Sequence, residues 1–116
     1  MNNSEKGNRF EEEAASFFIS ENYEVLERNY RRKTGEIDLI VTDHKALVFV
    51  EVKYRKSISK GFPEEAVNDL KKKRIMRTAE WYLKEKKLPF NIPCRFDVIS
   101  ILDGEIHHIK NAFGGF

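Results

Sequence analysis

The spacing of apolar residues changes period several times along this chain, and each change predicts an element. Between residues 5 and 22, Phe10, Ala14, Phe17 and Phe18 recur three or four apart, the signature of one helix face, and Ser4 stands where an N-cap belongs. Residues 23–30 read as a first strand. The polar stretch 31–35, ending in Gly35, predicts a turn, and 36–41 a second strand. Thr42, Asp43, His44 and Lys45 make a tight polar connection to a third strand over 46–54. Its LVFVEV run is the most apolar in the chain, and apolar residues on both faces imply a central strand covered on both sides. A basic loop follows over 55–62. Pro63 marks the start of a second helix reaching about Lys87, with Ile75, Met76, Ala79, Tyr82 and Leu83 on its inner stripe. After Pro89 and Pro93, residues 95–102 read as a fourth strand, Asp103 and Gly104 as a hairpin turn, and 105–110 as a short last strand. The order α-β-β-β-α-β-β predicts a single α/β domain with helices packed on a mixed sheet.

This pattern places charged residues on strands, where side chains alternate between faces. On the third strand Leu47, Phe49, Glu51, Lys53 and Arg55 share a face; on the second, Glu36, Asp38 and Ile40 do. If residues 42–45 form a symmetric four-residue hairpin loop, Glu36 falls opposite Glu51, and Asp38 falls opposite Phe49, diagonal to Glu51. A one-residue slip reverses the faces. Three carboxylates on one side of a sheet repel each other, and burying them unpaired is costly. A cation is therefore expected among them. Lys53 is one candidate, and a hard divalent ion with oxygen ligands is another. The alternative is an ordinary Glu51–Lys53 charged pair at a strand end. On the first helix, Glu11 and Glu13 border opposite edges of the apolar stripe, and helical geometry does not choose between them as a further ligand. On the second helix, Lys71 and Lys72 lie one turn before Ile75 and Met76, positioned either to reach phosphate or to remain solvated.

Composition narrows the class. The chain has 116 residues, 41% of them hydrophobic, enough for one core without covalent staples. A lone Cys94 excludes an intrachain disulfide and a thiolate zinc site. The polar start and the lack of any long apolar run point to a soluble cytoplasmic protein with no membrane contact. The net charge of +2 conceals an uneven distribution. Residues 1–27 hold seven acids against two bases, whereas 53–77 hold nine bases against three acids, a balance suited to a phosphate backbone. Of the remaining polar residues, His107 and His108 alternate on the last strand, so at most one faces inward. Asp97 sits between Phe96 and Val98, where it is expected to bond helix backbone or leave Arg95 to a nearby acid. Trp81, near the exposed side of the second helix, is either a partner contact or partly packed in the core, and partial core packing is the expectation.

Lys6-Gly7 with Glu11, Gly35-Glu36-Ile37-Asp38-Leu39-Ile40, Phe49-Val50-Glu51-Val52-Lys53-Tyr54-Arg55 and Arg95-Phe96-Asp97-Val98-Ile99 together resemble the YraN-like family of bacterial proteins, from about Lys6 to Phe113. That family is similar to the PD-(D/E)XK nuclease superfamily, in particular to archaeal Holliday-junction resolvases. The resemblance implies a restriction-endonuclease-like α-β-β-β-α-β core with a C-terminal hairpin, spanning 1–116 as one domain. It implies that Glu11 is the helix acid, that Asp38, Glu51 and the Val52 carbonyl bind Mg²⁺ or Mn²⁺, and that Lys53 is the catalytic lysine, with Glu36 auxiliary. Lys71 matches a basic position of the family's second helix. The expected activity is hydrolysis of phosphodiester bonds in structured, branched DNA. Arg31, Arg32, Lys33, Arg55, Lys56 and Lys60 would bind flanking phosphates, which position a substrate without reading its sequence. By analogy with two-fold branched substrates, a homodimer is expected. The alternative function is a non-catalytic nucleic-acid-binding module retaining the nuclease fold, and a third is a protein–protein adaptor whose basic face meets an acidic partner.

Overall fold

Covering the apolar run 47–50 on both sides requires a strand at each edge and a helix on each face, and the fold supplies both. The computed structural model describes residues 3–55, 68–89 and 91–113, with side chains from residue 9 onward. The elements are α1 (Asn3–Ser20), β1 (Glu24–Arg32), β2 (Gly35–Thr42), β3 (Leu47–Arg55), α2 (Asp69–Glu85), β4 (Cys94–Leu102) and β5 (Glu105–Ile109). The strands form one mixed sheet in chain order, β1-β2-β3-β4-β5. Only β3 and β4 run parallel, and α2 lies between them in the chain, the long crossover that a parallel pair needs.

Each helix closes one face. Phe10, Ala14, Ala15 and Phe18 of α1 pack on Leu39, Val41, Val48, Val50, Ile99 and Ile101. Ile75, Ala79, Tyr82 and Leu83 of α2 pack on Leu47, Phe49, Phe96 and Val98. In β3, Val48 and Val50 thus face α1 while Leu47 and Phe49 face α2, so this strand is buried on both sides. Phe17, expected in the buried stripe of α1, is only partly buried, and Ala15 takes its place.

Several boundaries differ from the sequence expectation, each for a local reason. Arg31 and Arg32 extend β1 by pairing with Glu36 and Gly35, leaving a short turn at 33–34. Helix α2 starts at Asp69, not near Pro63, because Asn68 caps it: its Oδ1 accepts the Lys71 N–H at 2.9 Å. Pro63 lies outside the described residues. Ser4, expected to precede α1 as its cap, falls inside a helix that begins at Asn3. The Asp103–Gly104 turn has positive φ at both residues, 50° and 81°, as a two-residue hairpin demands.

Two departures set the site. The β2–β3 loop is 43–46, closed by Asp43 Oδ1, which accepts the Lys45 and Ala46 N–H groups. Thr42 therefore pairs with Leu47, and continuing that register puts Asp38, not Glu36, opposite Glu51. The second departure is a break in alternation. Arg28 pairs with Leu39 and Tyr30 with Ile37, yet Leu39 lies in the α1 core while Tyr30 and Ile37 lie in the α2 core. Residues two apart on a regular strand share a face. Between them sits Asn29 at φ 51°, a left-handed conformation that asparagine tolerates. It flips β1, and β2 follows at Asp38. The expectation that Glu36, Asp38 and Ile40 share one face by simple parity is thereby corrected.

Candidate functional site

The β2–β3 ladder runs from Thr42 and Leu47 to Leu39 and Val50. One step further, the Asp38 carboxylate takes the place of a backbone acceptor, and the Val52 N–H donates to its Oδ2 at 2.8 Å. The break at Asn29 and Asp38 lets this carboxylate sit where the strands stop pairing. Glu36 and Glu11 join it: one carboxylate oxygen from each of Glu11, Glu36 and Asp38 lies within 4.8 Å of the others. The structure thus separates the two candidates on α1. Glu11 enters the cluster, while Glu13 lies 3.9 Å from Arg9.

The electrostatics reflect this crowding. Burial, reinforced by the Glu51 charge, pushes the Asp38 carboxyl from 3.8 up to about 7, against the lowering effect of the Val52 N–H. Burial likewise raises Glu11, partly offset by a hydrogen bond with the Asn29 side chain. The asparagine that breaks the strand alternation also steadies an acid of the cluster.

Glu51 is 5% exposed and faces α2, as the regular alternation of β3 requires. Lys71 Nζ lies 2.7 Å from its Oε1 and Lys53 Nζ 3.4 Å from the same oxygen. These ammonium groups supply the cationic partner that a buried carboxylate needs. Burial and the neighbouring Lys71 lower the Lys53 pKa. For Lys71 burial works downward too, but its contacts with Glu51 and Lys53 outweigh it and leave the pKa raised. Lys71 is therefore the firm cation and Lys53 the easier proton donor.

These groups open onto a cleft of about 400 Å³ lined by Glu36, Asp38 and Glu51 on the sheet side and by the capping Asn68 and Leu70, Lys71 and Arg74 of α2 on the other. Gly35 makes the approach possible. At φ 151° a side chain is strained, and a Cβ there would meet Arg74 Cβ and Thr78 Oγ1 at 3.3 Å. Thr34 and Thr78 hydroxyls, 2.7 Å apart, fasten the same turn to α2. Arg74 and Leu70 escaped the sequence reading, although Arg74 follows Lys71 by three residues on the same helix.

The basic residues expected around the site divide. Arg31 pairs with Glu36 at 3.0 Å, so it sits at the cluster. Arg32 does not reach into the cleft; its guanidinium is gripped at 2.6 Å by both oxygens of Glu85, and it lies over the Tyr30 ring. It ties β1 to the end of α2. Lys33 is exposed in the turn, and Arg55 ends β3. Lys56 and Lys60 lie outside the described residues.

Asp97 serves the fold on the α1 side. Fully buried, it accepts from Arg95 Nε at 2.8 Å and from the Asn111 N–H at 2.9 Å, and it lies 2.6 Å from His108 Nε2. Burial alone would raise its carboxyl, but these partners hold it below the usual range. His108 is thus the inward histidine of its pair. Trp81, expected to be partly packed, is instead 49% exposed.

Fold and site together define an α/β protein with an acidic cluster set against paired lysines, where two strands of its mixed sheet part. The chain belongs to the uncharacterised protein family UPF0102, the YraN-like group, which it matches over residues 10–101. It is 48% identical over 116 residues to a UPF0102 protein of Lachnoclostridium phytofermentans, covering 100% of this chain and 98% of that one. A UPF0102 protein of Clostridioides difficile is 44% identical, with 97% and 100% covered. One from Fusobacterium nucleatum is 41% identical, with 99% and 96% covered. No described helix is long and apolar enough to cross a membrane.

Proposed function

We propose that this protein is a divalent-metal-dependent nuclease of the restriction-endonuclease-like, PD-(D/E)XK type, hydrolysing phosphodiester bonds in structured, branched DNA. The observation that carries the reading is the convergence of Glu11, Glu36 and Asp38 within 4.8 Å, with Asp38 pushed to about 7. Such crowding is unfavourable without a counter-charge, and hard carboxylate oxygens suit Mg²⁺ or Mn²⁺. Asp38, Glu11 and Glu36 would hold the ion, with Glu51 and the Val52 carbonyl beside them. Such an ion, when bound, lowers the pKa of its water and polarises phosphoryl oxygens.

The chain's own residues do the rest. Lys53 keeps a proton on Nζ for the charge that develops on phosphate. Lys71 holds Glu51 in place. Arg31, Lys33 and Arg55 stand near enough in the chain to bind flanking phosphates. A homodimer would match the two-fold character of a branched substrate.

A second reading, a non-catalytic nucleic-acid-binding module, is favoured by one contact. The Lys71–Glu51 pair at 2.7 Å already satisfies Glu51 without an ion. The test is cleavage of a four-way junction, a flap, a single strand and a plain duplex with Mg²⁺ or Mn²⁺. Wild type is compared with Asp38→Asn and Glu51→Ala. Cleavage by wild type alone is the expected result. Equal cleavage by the variants refutes the site, and salt-sensitive binding with no cleavage by any of them selects the binding module.

A further inference from the structure

Helix α2 buries Ile75, Thr78, Ala79, Tyr82 and Leu83 on one side. On the other, Leu70, Arg74, Arg77, Trp81 and Lys84 are all exposed and follow one another at intervals of three or four, so they form one stripe. The stripe starts in the acidic cleft, whose wall includes Leu70 and Arg74. It ends at a separate hollow of about 260 Å³ lined by Thr34, Arg77, Glu80, Trp81 and Lys84. Trp81 is two helical turns beyond Arg74, about 10 Å along the axis.

The chemistry of the stripe selects its occupant. Arg74 and Arg77 form no ion pair with any described carboxylate, leaving two guanidinium groups facing solvent. Lys84 Nζ lies over the Trp81 ring, 5.7 Å from its centroid, so that end of the stripe joins positive charge to an aromatic face. Leu70 at 59% and Trp81 at 49% exposure add apolar surface to this charged stripe. Positive charge beside an open aromatic face fits a polyanion with exposed flat rings. In a duplex the base faces are stacked away; an unpaired strand offers them.

We propose that this stripe is a track for single-stranded DNA leading out of the cleft, with Trp81 as a stacking platform for an unpaired base and Arg74 and Arg77 on its phosphates. The inference rests on the nuclease reading for the identity of the cleft, and it narrows the substrate to DNA with an unpaired arm. Its test needs no cleavage. Trp81 is the single tryptophan of the chain, so its emission reports on the stripe alone. The full-length Asp38→Asn protein, in EDTA, is titrated with an oligo-dT of about 12 nucleotides, within the usual single-strand site size, and with a blunt duplex of equal length.

Oligo-dT is expected to quench the emission strongly, and the duplex to leave it nearly unchanged. Followed by the anisotropy of a fluorescein-labelled oligo-dT, which needs no tryptophan, Trp81→Ala should weaken binding by roughly 10-fold or more, while Trp81→Phe keeps most of the affinity. Replacing Arg74 and Arg77 together by alanine should reduce the salt slope by about 1.4, the counterion release of two phosphates on a single strand. These residues are exposed, so melting temperature should not change. Equal quenching by the duplex, or unchanged oligo-dT binding by Trp81→Ala, overturns the proposal. So does a wild-type dimer that Trp81→Ala converts to monomer on size exclusion, which would assign the stripe to a second copy of the chain. Cleavage without quenching refutes this track alone, and quenching without cleavage refutes the nuclease reading alone.

Discussion

Replacing Asp38 by asparagine is expected to stabilise the protein, and to do so only above acid pH. The substitution removes the charge but keeps a carbonyl oxygen to accept the Val52 N–H, now held at 2.8 Å. In the folded protein, burial and the Glu51 charge raise the Asp38 carboxyl from 3.8 to about 7. Between those values the folded state holds a proton that the unfolded state has released. Stability from this group is therefore complete below about pH 4 and falls as pH rises through 7. A rise from 3.8 to about 7 corresponds to about 4 kcal/mol. Part of that is returned by water at the cleft and by relaxation of Glu11 and Glu51, so the net gain expected at pH 8 is about 1–3 kcal/mol, with almost none at pH 4. Urea unfolding of both proteins at pH 4, 6 and 8 in EDTA measures it. Added Mn²⁺ should then stabilise the wild type at pH 8 and leave the variant unmoved. A variant no more stable than wild type at pH 8, or a difference that does not change with pH, refutes the electrostatic account of the cluster.

Other substitutions probe the supports of the site. Asp97→Ala strands Arg95 without its buried partner and should cost about 3–5 kcal/mol in urea unfolding. Because the Asp97 carboxyl is depressed in the fold, its stabilisation is present above the unfolded carboxylate range and lost as pH falls through the folded value, so wild type should show an acid limb that Asp97→Asn flattens. Gly35→Ala, strained at φ 151° and pressed to 3.3 Å from Arg74 and Thr78, should cost about 1–2 kcal/mol and weaken Mn²⁺-induced stabilisation by displacing the start of β2. Phe49→Ala empties the centre of the α2-side core, where Phe49 is 1% exposed, and should cost about 3–5 kcal/mol in thermal unfolding; a loss below about 1 kcal/mol would contradict that packing.

Much of this architecture was legible in the sequence because period and punctuation agreed. The LVFVEV run, the Asp103–Gly104 turn and the Ile75, Ala79, Tyr82 and Leu83 stripe each carry a local signal, and each stands as read. The site was legible as a set of residues but not as a geometry. Parity grouped Glu36, Asp38 and Glu51, and all line one cleft, but parity assumes an unbroken strand. The break comes from Asn29 in a left-handed conformation, and an asparagine in a strand-like segment gives no warning of it. The hairpin loop lies one residue later than the polar run 42–45 suggests, which moves the register by two and so preserves the faces while changing the partners. Arg32 resembles a phosphate ligand in its local sequence because its partner Glu85 lies 53 residues away, a separation that no local pattern spans.

Because the sheet is laid down in chain order, no strand must be inserted between two that have already paired. A chain leaving the ribosome can add each strand to an edge that already exists, and only β4 must wait for the crossover helix before it docks. The three acids that crowd together belong to α1 and β2, whereas the lysine that grips Glu51 comes from α2. Synthesis therefore brings the three acids together with only the Arg31 of β1 to offset Glu36, and the shorter of the two lysine contacts on Glu51 is completed only when α2 arrives.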